Sequence, residues 1–355
     1  MPEHGVDASM SRAEPPATGV ATGNRIHSSV ATWPSAQRPI APSAAATTAA
    51  RVRSRVEAYL VADGIPPGPM CEALEPLFVP LAAWIASRSG PAERGGAERP
   101  LRVPVIGISG AQGTGKTTVA ELLRLILVHG LDVRCVTLSL DDLYLGREAR
   151  AQLARTVHPL LRTRGVPGTH DVPLAQRVLR ELRAAGKGAR IQLPRFDKAD
   201  DDRAPAGNWS EVEGPVDCVL FEGWCVGARA QSQAALAAAL NALERDEDRD
   251  GRFRAYVNAQ LAGTYATLFD LIDAQVFIAA PDLDSSRAWR LEQEHKLRAR
   301  HGSAQRVMSD AEVARFVEFY ERISRHMLDE LPGRADVVLA LARDHTFAHV
   351  GVRTP

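Results

Sequence analysis

Eight residues constrain this chain more than any others: Gly110-Ala111-Gln112-Gly113-Thr114-Gly115-Lys116-Thr117. They match the pattern G-x-x-x-x-G-K-[ST], and the pattern has its required context on both sides. The apolar run Val103 to Ile108 precedes it as a strand, and Thr118-Val119-Ala120-Glu121-Leu122-Leu123 continues it as a helix. Glycines let backbone N–H groups converge on phosphate oxygens, and the helix N-terminus adds its positive dipole end. Lys116 is suited to the β and γ phosphates and Thr117 to Mg²⁺. A Gly-rich turn that only joined a strand to a helix would not need lysine followed by threonine. Gly110 to Thr118 are therefore expected to cradle a nucleotide.

From Arg102 onward short β-rich runs alternate with helical patterns. That alternation predicts an α/β fold of the P-loop NTPase class, a doubly wound parallel sheet with helices on both faces. The expected strands are Val103 to Ile108, Val133 to Leu138, Ala189 to Leu193, Val216 to Phe221, Ala274 to Ile278 and Ala335 to Leu341. The expected helices are Thr117 to Val128, Pro173 to Ala184, Ala228 to Leu243, Phe253 to Leu271, Asp284 to Arg300 and Asp310 to Leu331. Residues 1–50 are rich in Ala, Pro, Ser and Thr and read as a disordered tail whose removal leaves stability unchanged. Residues 51–100 read as a helical appendage and linker, with Val52, Val56, Tyr59 and Leu60, then Leu74, Leu77, Phe78, Leu81 and Ile85, at helical spacing. Residues 101–355 form the phosphate-binding domain.

Composition narrows the function. Lys plus Arg is 43 and Asp plus Glu is 43, which speaks against a partner bound through its polyanionic charge, nucleic acid above all. No apolar run approaches the ~20 residues that cross a bilayer. Cys71, Cys135, Cys218 and Cys225 form no C-x-x-C pair, so zinc and dithiol motifs are absent. The N-terminus lacks the order of a secretory signal, and Glu3, Asp7 and Glu14 spoil a transit-peptide pattern. The expected location is cytoplasmic.

The remaining motifs concern the fate of the γ-phosphate. Ser139-Leu140-Asp141-Asp142-Leu143-Tyr144 follows the second strand, at the sheet edge where open α/β folds bind ligands. A carboxylate there can accept the proton of an attacking alcohol, so Asp141 joins Lys116 as a candidate catalytic residue and Asp142 is a candidate helix cap. Asp217-Cys218-Val219-Leu220-Phe221-Glu222 is an apolar strand ending in an acid, and Glu222 is the candidate Mg²⁺ ligand beside Thr117. No N-K-x-D or L-S-G-G-Q motif and no paired acids after Phe221 point toward a GTPase or a mechanical ATPase. Two Gly-, Pro- and charge-rich stretches, His158 to Asp171 and Leu193 to Arg203, supply candidate acceptor contacts: Arg162, Arg164, His170, Asp171, Arg195 and Arg203. With Lys198, these cations suit an anionic small-molecule acceptor, unless they are merely solvated loop charges. The helix Asp284 to Arg300 reads either as a lid that brings Arg287 or Arg290 to the phosphates or as a basic surface helix.

These motifs, in this order, resemble the phosphoribulokinase/uridine kinase-like P-loop kinases, and within them the plant-type D-glycerate 3-kinases. The resemblance is carried by Gly107 through Thr118, Leu138 to Tyr144, His158 to Asp171, Leu193 to Pro205, Phe221 to Gly227, Asn241 to Glu244 and Gln293-Glu294. The run Arg164-Gly165-Val166-Pro167-Gly168-Thr169-His170-Asp171 is far more specific than the phosphate motif. Leu143 stands where many relatives have Phe. The resemblance implies ATP and Mg²⁺ as cofactors and phosphorylation of the 3-hydroxyl of D-glycerate, with Asp141 at the base position and Glu222 at the strand-end acid. Another small alcohol, such as a nucleoside or pantothenate, and a nucleotide-hydrolysing regulator are the alternatives.

Overall fold

The computed structural model describes residues 30–89, 103–301 and 308–354. Helices α1 (Pro42–Ala62), α2 (Pro67–Glu72) and α3 (Val79–Ala86) precede the sheet. Next come β1 (Val105–Gly110), α4 (Lys116–Gly130), β2 (Cys135–Ser139), α5 (Arg147–Thr156) and α6 (Val172–Ala184). The short strands β3 (Arg190–Leu193), β4 (Phe196–Asp197), β5 (Asp202–Arg203) and β6 (Ser210–Glu213) make two small antiparallel ladders, β3 with β6 and β4 with β5. The chain returns through β7 (Cys218–Glu222), then α7 (Gln233–Leu236), α8 (Ala242–Glu247), α9 (Arg252–Ala262) and α10 (Thr264–Phe269). It ends with β8 (Ala274–Ala279), α11 (Leu283–His301), α12 (Asp310–Glu330), β9 (Val337–Leu341) and β10 (Phe347–Val352).

Six strands form the main sheet in the order β10-β9-β8-β1-β7-β2. All neighbours are parallel except β10, which runs antiparallel to β9. β1 and β7 are buried at every position, as central strands must be when helices cover both faces. One face packs α1, α3 and α4, through residues such as Val52, Leu81 and Leu123. The other packs α6, α9, α10 and α12, through residues such as Leu179, Tyr265 and Ile323. In this register Ile108 and Ser139 both lie beside Glu222, so the carboxyl ends of β1, β2 and β7 meet at one edge.

Three expectations are corrected. The tail does not extend to residue 50: α1 starts at Pro42, and Ala31, Trp33, Ala45 and Ala49 are buried. One turn of small residues is enough to seat a helix when alanines face the core, a signal that composition hides; residues 1–29 lie outside the described residues. The helical appendage is present as expected, and it shares one continuous apolar cluster with β1, β8 and β9. The run Ala189 to Leu193 stays out of the main sheet, consistent with its exposed Arg190 and Gln192. The helix expected over Ala228 to Leu243 is broken. There Arg322 guanidinium nitrogens donate to the carbonyls of Ala235 and Ala238 at 2.8 and 2.7 Å, and Glu244 accepts from Leu240 N at 2.8 Å. Side chains from elsewhere thus satisfy backbone groups that a helix would have paired internally.

Trp33 is 2% exposed and donates from Nε1 to the Gln37 carbonyl at 3.0 Å. Trp33→Ala should therefore cost about 3 kcal/mol in urea unfolding, the usual range for a buried aromatic truncated to Ala. A change under about 0.5 kcal/mol would show that this segment does not pack.

Candidate active site

Between β1 and α4 the backbone reverses with Gly113 and Gly115 at φ +81° and +80°, where side chains with a Cβ are strained. Gly113 has a second reason: a Cβ there would lie 3.0 Å from Trp289 and 3.1 Å from the Arg290 nitrogen. The opening turns of α11 thus rest directly on the cradle, and Ser286 Oγ donates to the Gln112 carbonyl. Lys116 Nζ donates to the Ala111 carbonyl at 3.0 Å.

Glu222 lies beside the cradle at the end of β7. Its Oε1 accepts from Thr117 Oγ1 at 3.2 Å and from Ser139 Oγ at 2.6 Å. Burial pushes its carboxyl pKa up, Asp141 adds to the rise, and Lys116 opposes it. No ion pair to Glu222 is present among the described residues. A buried carboxylate facing two hydroxyls is a set of hard oxygens, which fits Mg²⁺. Ser139 was not among the sequence candidates; there it is only the first residue of the run that follows the second expected strand, whereas in the structure it closes β2.

The turn after β2 presents two acids in different surroundings. Asp141 Oδ1 accepts from Tyr144 Oη at 2.6 Å and Oδ2 from Lys198 Nζ at 2.9 Å. Burial works to raise its pKa, but Lys198 and the Tyr144 hydroxyl outweigh it and hold the carboxyl at about 2. Its side chain keeps 38% of its surface exposed, and that of Lys198 59%. Asp142 instead accepts from Phe196 N at 3.2 Å and lies 3.6 Å from Arg195. It tethers β4 and caps no helix, contrary to expectation; Ser139 Oγ caps the turn by accepting from Asp141 N. Burial raises the Asp142 pKa.

The loops that carry the candidate acceptor contacts are largely self-paired. Arg164 pairs with Asp201, and Arg203 donates to Asp171 at 2.9 Å. Asp171 also caps α6 by accepting from Leu174 N at 3.0 Å, so both of its oxygens have structural work. Arg162 is exposed and has no side-chain partner among the described residues. Arg150, missed in the sequence, is 2% exposed and donates to the carbonyls of Leu145, Arg162 and Asp201 at 3.0, 2.8 and 2.6 Å. Gly165 has φ +129°, and a Cβ there would fall 2.0 Å from Tyr320 Oη; its carbonyl accepts from Trp224 Nε1 at 2.8 Å. His170 is buried against Tyr144, with stacked rings 4.7 Å apart. The lid candidates are held by carboxylates, Arg287 by Glu321 and Arg290 by Glu294, each at 2.7 Å.

No protein-family model matches the chain. An uncharacterized kinase of Schizosaccharomyces pombe is 34% identical over 223 residues, 61% of this chain and 78% of that protein. The chloroplastic D-glycerate 3-kinase of Arabidopsis thaliana is 34% identical over 255 residues, 68% of this chain but only 52% of that protein. A protein of Saccharomyces cerevisiae named as a probable ATP-dependent kinase is 30% identical over 227 residues, 60% of this chain and 73% of that protein. The solved D-glycerate 3-kinase from Cryptococcus neoformans superposes with a TM-score of 0.62 at 27% identity, over 78% of this chain and 99% of that one.

The chain belongs to the phosphoribulokinase/uridine kinase-like P-loop kinases. It is an ATP-dependent small-molecule kinase of the group that includes glycerate kinases and uncharacterized kinases. Among the described residues, no helix is long and apolar enough to cross a membrane.

One electrostatic feature of this kinase can be read in stability. Burial pushes the His170 imidazole pKa down to about 3, against the upward pull of the Asp141 carboxylate. The folded ring is therefore neutral where unfolded His, with a pKa of about 6.5, takes up a proton. Its contribution to stability is complete above about pH 6.5 and is lost progressively as the pH falls toward 3. The urea midpoint should drop between about pH 7 and 5, and more steeply than in His170→Phe. Equal slopes in the two proteins would return the imidazole to its ordinary pKa.

Proposed function

We propose that the chain transfers the γ-phosphate of ATP to the 3-hydroxyl of D-glycerate, giving 3-phospho-D-glycerate and ADP. The observation that carries this reading is the Asp141 carboxylate, oriented by Tyr144 and Lys198 beside the cradle. The glycerate kinases among its relatives support the choice of acceptor. Lys198 and Arg195 add positive charge around the turn, which suits a carboxylate-bearing alcohol.

In this mechanism the 3-hydroxyl oxygen attacks the γ-phosphorus. The new O–P bond forms as the bond to the bridging oxygen breaks, and that electron pair leaves with ADP. The hydroxyl proton passes to Asp141, which is ionised at any working pH because of its depressed pKa. A carboxylate of so low a pKa is a weak base, and it suits a loose transition state in which the proton moves late. Lys116 neutralises charge developing on the γ-phosphate oxygens. Thr117 and Glu222 would hold Mg²⁺, which supplies charge neutralisation at the β and γ phosphates when bound. Arg290, whose backbone lies against Gly113, is the lid arginine we assign to the phosphates. Closing water out of the site would favour transfer over hydrolysis.

The test is ADP release with ATP and Mg²⁺ against a panel of D-glycerate, other hydroxy acids, nucleosides and pantothenate, beside a control without acceptor. D-glycerate should give the highest rate. A nucleoside or pantothenate ahead of it would reassign the acceptor, and equal rates with and without acceptor would point to a hydrolase. Lys116→Ala should abolish transfer and leave the unfolding free energy from urea titration within about 0.5 kcal/mol of wild type. Asp141→Asn should keep ATP affinity and cut the rate by on the order of 10²–10⁴, with Asp142→Asn far milder. If the two ranks are reversed, Asp142 is the base.

A further inference from the structure

A neutral histidine carries its proton on one of two ring nitrogens, and that choice decides which edge of the ring donates. At His170 the choice is made by a neighbour. Nδ1 lies 2.5 Å from Tyr265 Oη. The same hydroxyl, fully buried, accepts the backbone N–H of Gly168 at 3.0 Å. That N–H can only donate, so it takes a lone pair of the phenolic oxygen, and among the described residues Nδ1 is the one acceptor within reach of the phenolic proton. The single Tyr265 proton is left for Nδ1, which must accept it. Burial raises the Tyr265 pKa well above its usual value, so that proton stays in place. The ring's own proton is then on Nε2.

Nε2 is where the protein stops providing partners. His170 is 4% exposed, and Nε2 is buried with no hydrogen-bond partner among the described residues. A buried donor left unmet is costly, so the site favours a ligand that supplies an acceptor. Here that donor sits on a ring stacked against Tyr144, whose hydroxyl holds Asp141. The donor therefore lies one aromatic ring away from the carboxylate assigned to the attacking alcohol. Its loop is fixed by Trp224 at Gly165 and by Tyr265 at Gly168, so the ring has little freedom to find another partner.

We infer that Tyr265 is a positioning residue that locks His170 as an Nε2–H donor, and that this donor binds an oxygen of the phosphoryl acceptor. The inference rests on the reading of the Asp141 pocket as the acceptor site. It adds a requirement on the ligand: the atom facing His170 is a hydrogen-bond acceptor, such as a carboxylate or hydroxyl oxygen, and not an N–H group. A neutral donor complements the cations of the surrounding loops, because it recognises an oxygen without adding a charge beside Asp141.

The test uses the full chain labelled with ¹⁵N-histidine, with the His170 signals assigned by their loss in His170→Phe. Without ligand, a long-range ¹H–¹⁵N spectrum should show protonated Nε2 and unprotonated Nδ1, and Tyr265→Phe should convert this to a mixture of tautomers. His170→Phe should raise KM for the acceptor by on the order of tenfold, the size of one lost hydrogen bond, Tyr265→Phe should raise it by a smaller factor set by the fraction of rings still protonated at Nε2, and both should leave KM for ATP unchanged. The double variant should be little worse than His170→Phe alone, since Tyr265 acts through that ring. A spectrum with Nδ1 protonated overturns the lock. An unchanged acceptor KM in Tyr265→Phe, or an equal rise in both KM values, overturns the positioning role. Absence of transfer from wild type to any acceptor defeats the pocket assignment instead, and the tautomer spectrum still decides the role of Tyr265.

Discussion

The Glu222 carboxylate, 4% exposed, accepts hydrogen bonds from Thr117 on the first turn of α4 and from Ser139 at the end of β2. Three neighbouring strands therefore meet on one buried acid. Removing such a group from water costs several kcal/mol unless hydrogen bonds and nearby positive charge compensate. Two hydroxyls and the field of Lys116 offset part of that cost, and the carboxyl pKa still stands above its ordinary value. The strand order β2-β7-β1 follows as a requirement, because only a β7 placed between β1 and β2 can carry Glu222 to both hydroxyls. The same edge then holds the cradle and the Asp141 turn a short distance apart.

A second layer of constraint holds the acceptor side still. Arg150, buried under three carbonyls, ties α5 to the loops on either side of it. The run from Arg164 to Asp171 is pinned from below by Trp224, Tyr265 and Tyr320, and its left-handed Gly165 admits no side chain. By contrast α11 meets α12 through the Arg287–Glu321 ion pair, while Arg290 pairs with Glu294 within α11 itself. Such contacts exchange readily for phosphate oxygens, whereas the buried aromatic supports do not.

The phosphate cradle, the central strands and the strand-end acid were legible because each is a local pattern with one geometric solution. Glycines at Gly113 and Gly115 and an apolar strand ending at Glu222 need no tertiary information to be read. What the pattern could not show was pairing. Lys198 is one of five cations named in the two candidate acceptor stretches, yet it is the one that meets Asp141. Arg164 and Arg203 carry the same charge and are matched instead to Asp201 and Asp171. Tyr265, Arg150 and Ser139 escaped notice because their roles depend on partners 95, 51 and 83 residues away. The N-terminal helix was misjudged for a related reason. Its alanines look uninformative until Val52, Val56 and Leu60 are seen to share a core with β1 and α4.

The central claim is a phosphoryl transfer to one particular oxygen, and it is tested most directly by the product itself. D-Glycerate labelled with ¹³C at carbon 3 would be incubated with the full chain, ATP and Mg²⁺, and the carbon spectrum followed. The account predicts that the labelled carbon acquires a two-bond coupling to phosphorus as ADP accumulates. Coupling absent at carbon 3, with phosphorus found only as inorganic phosphate or on another oxygen, would contradict it.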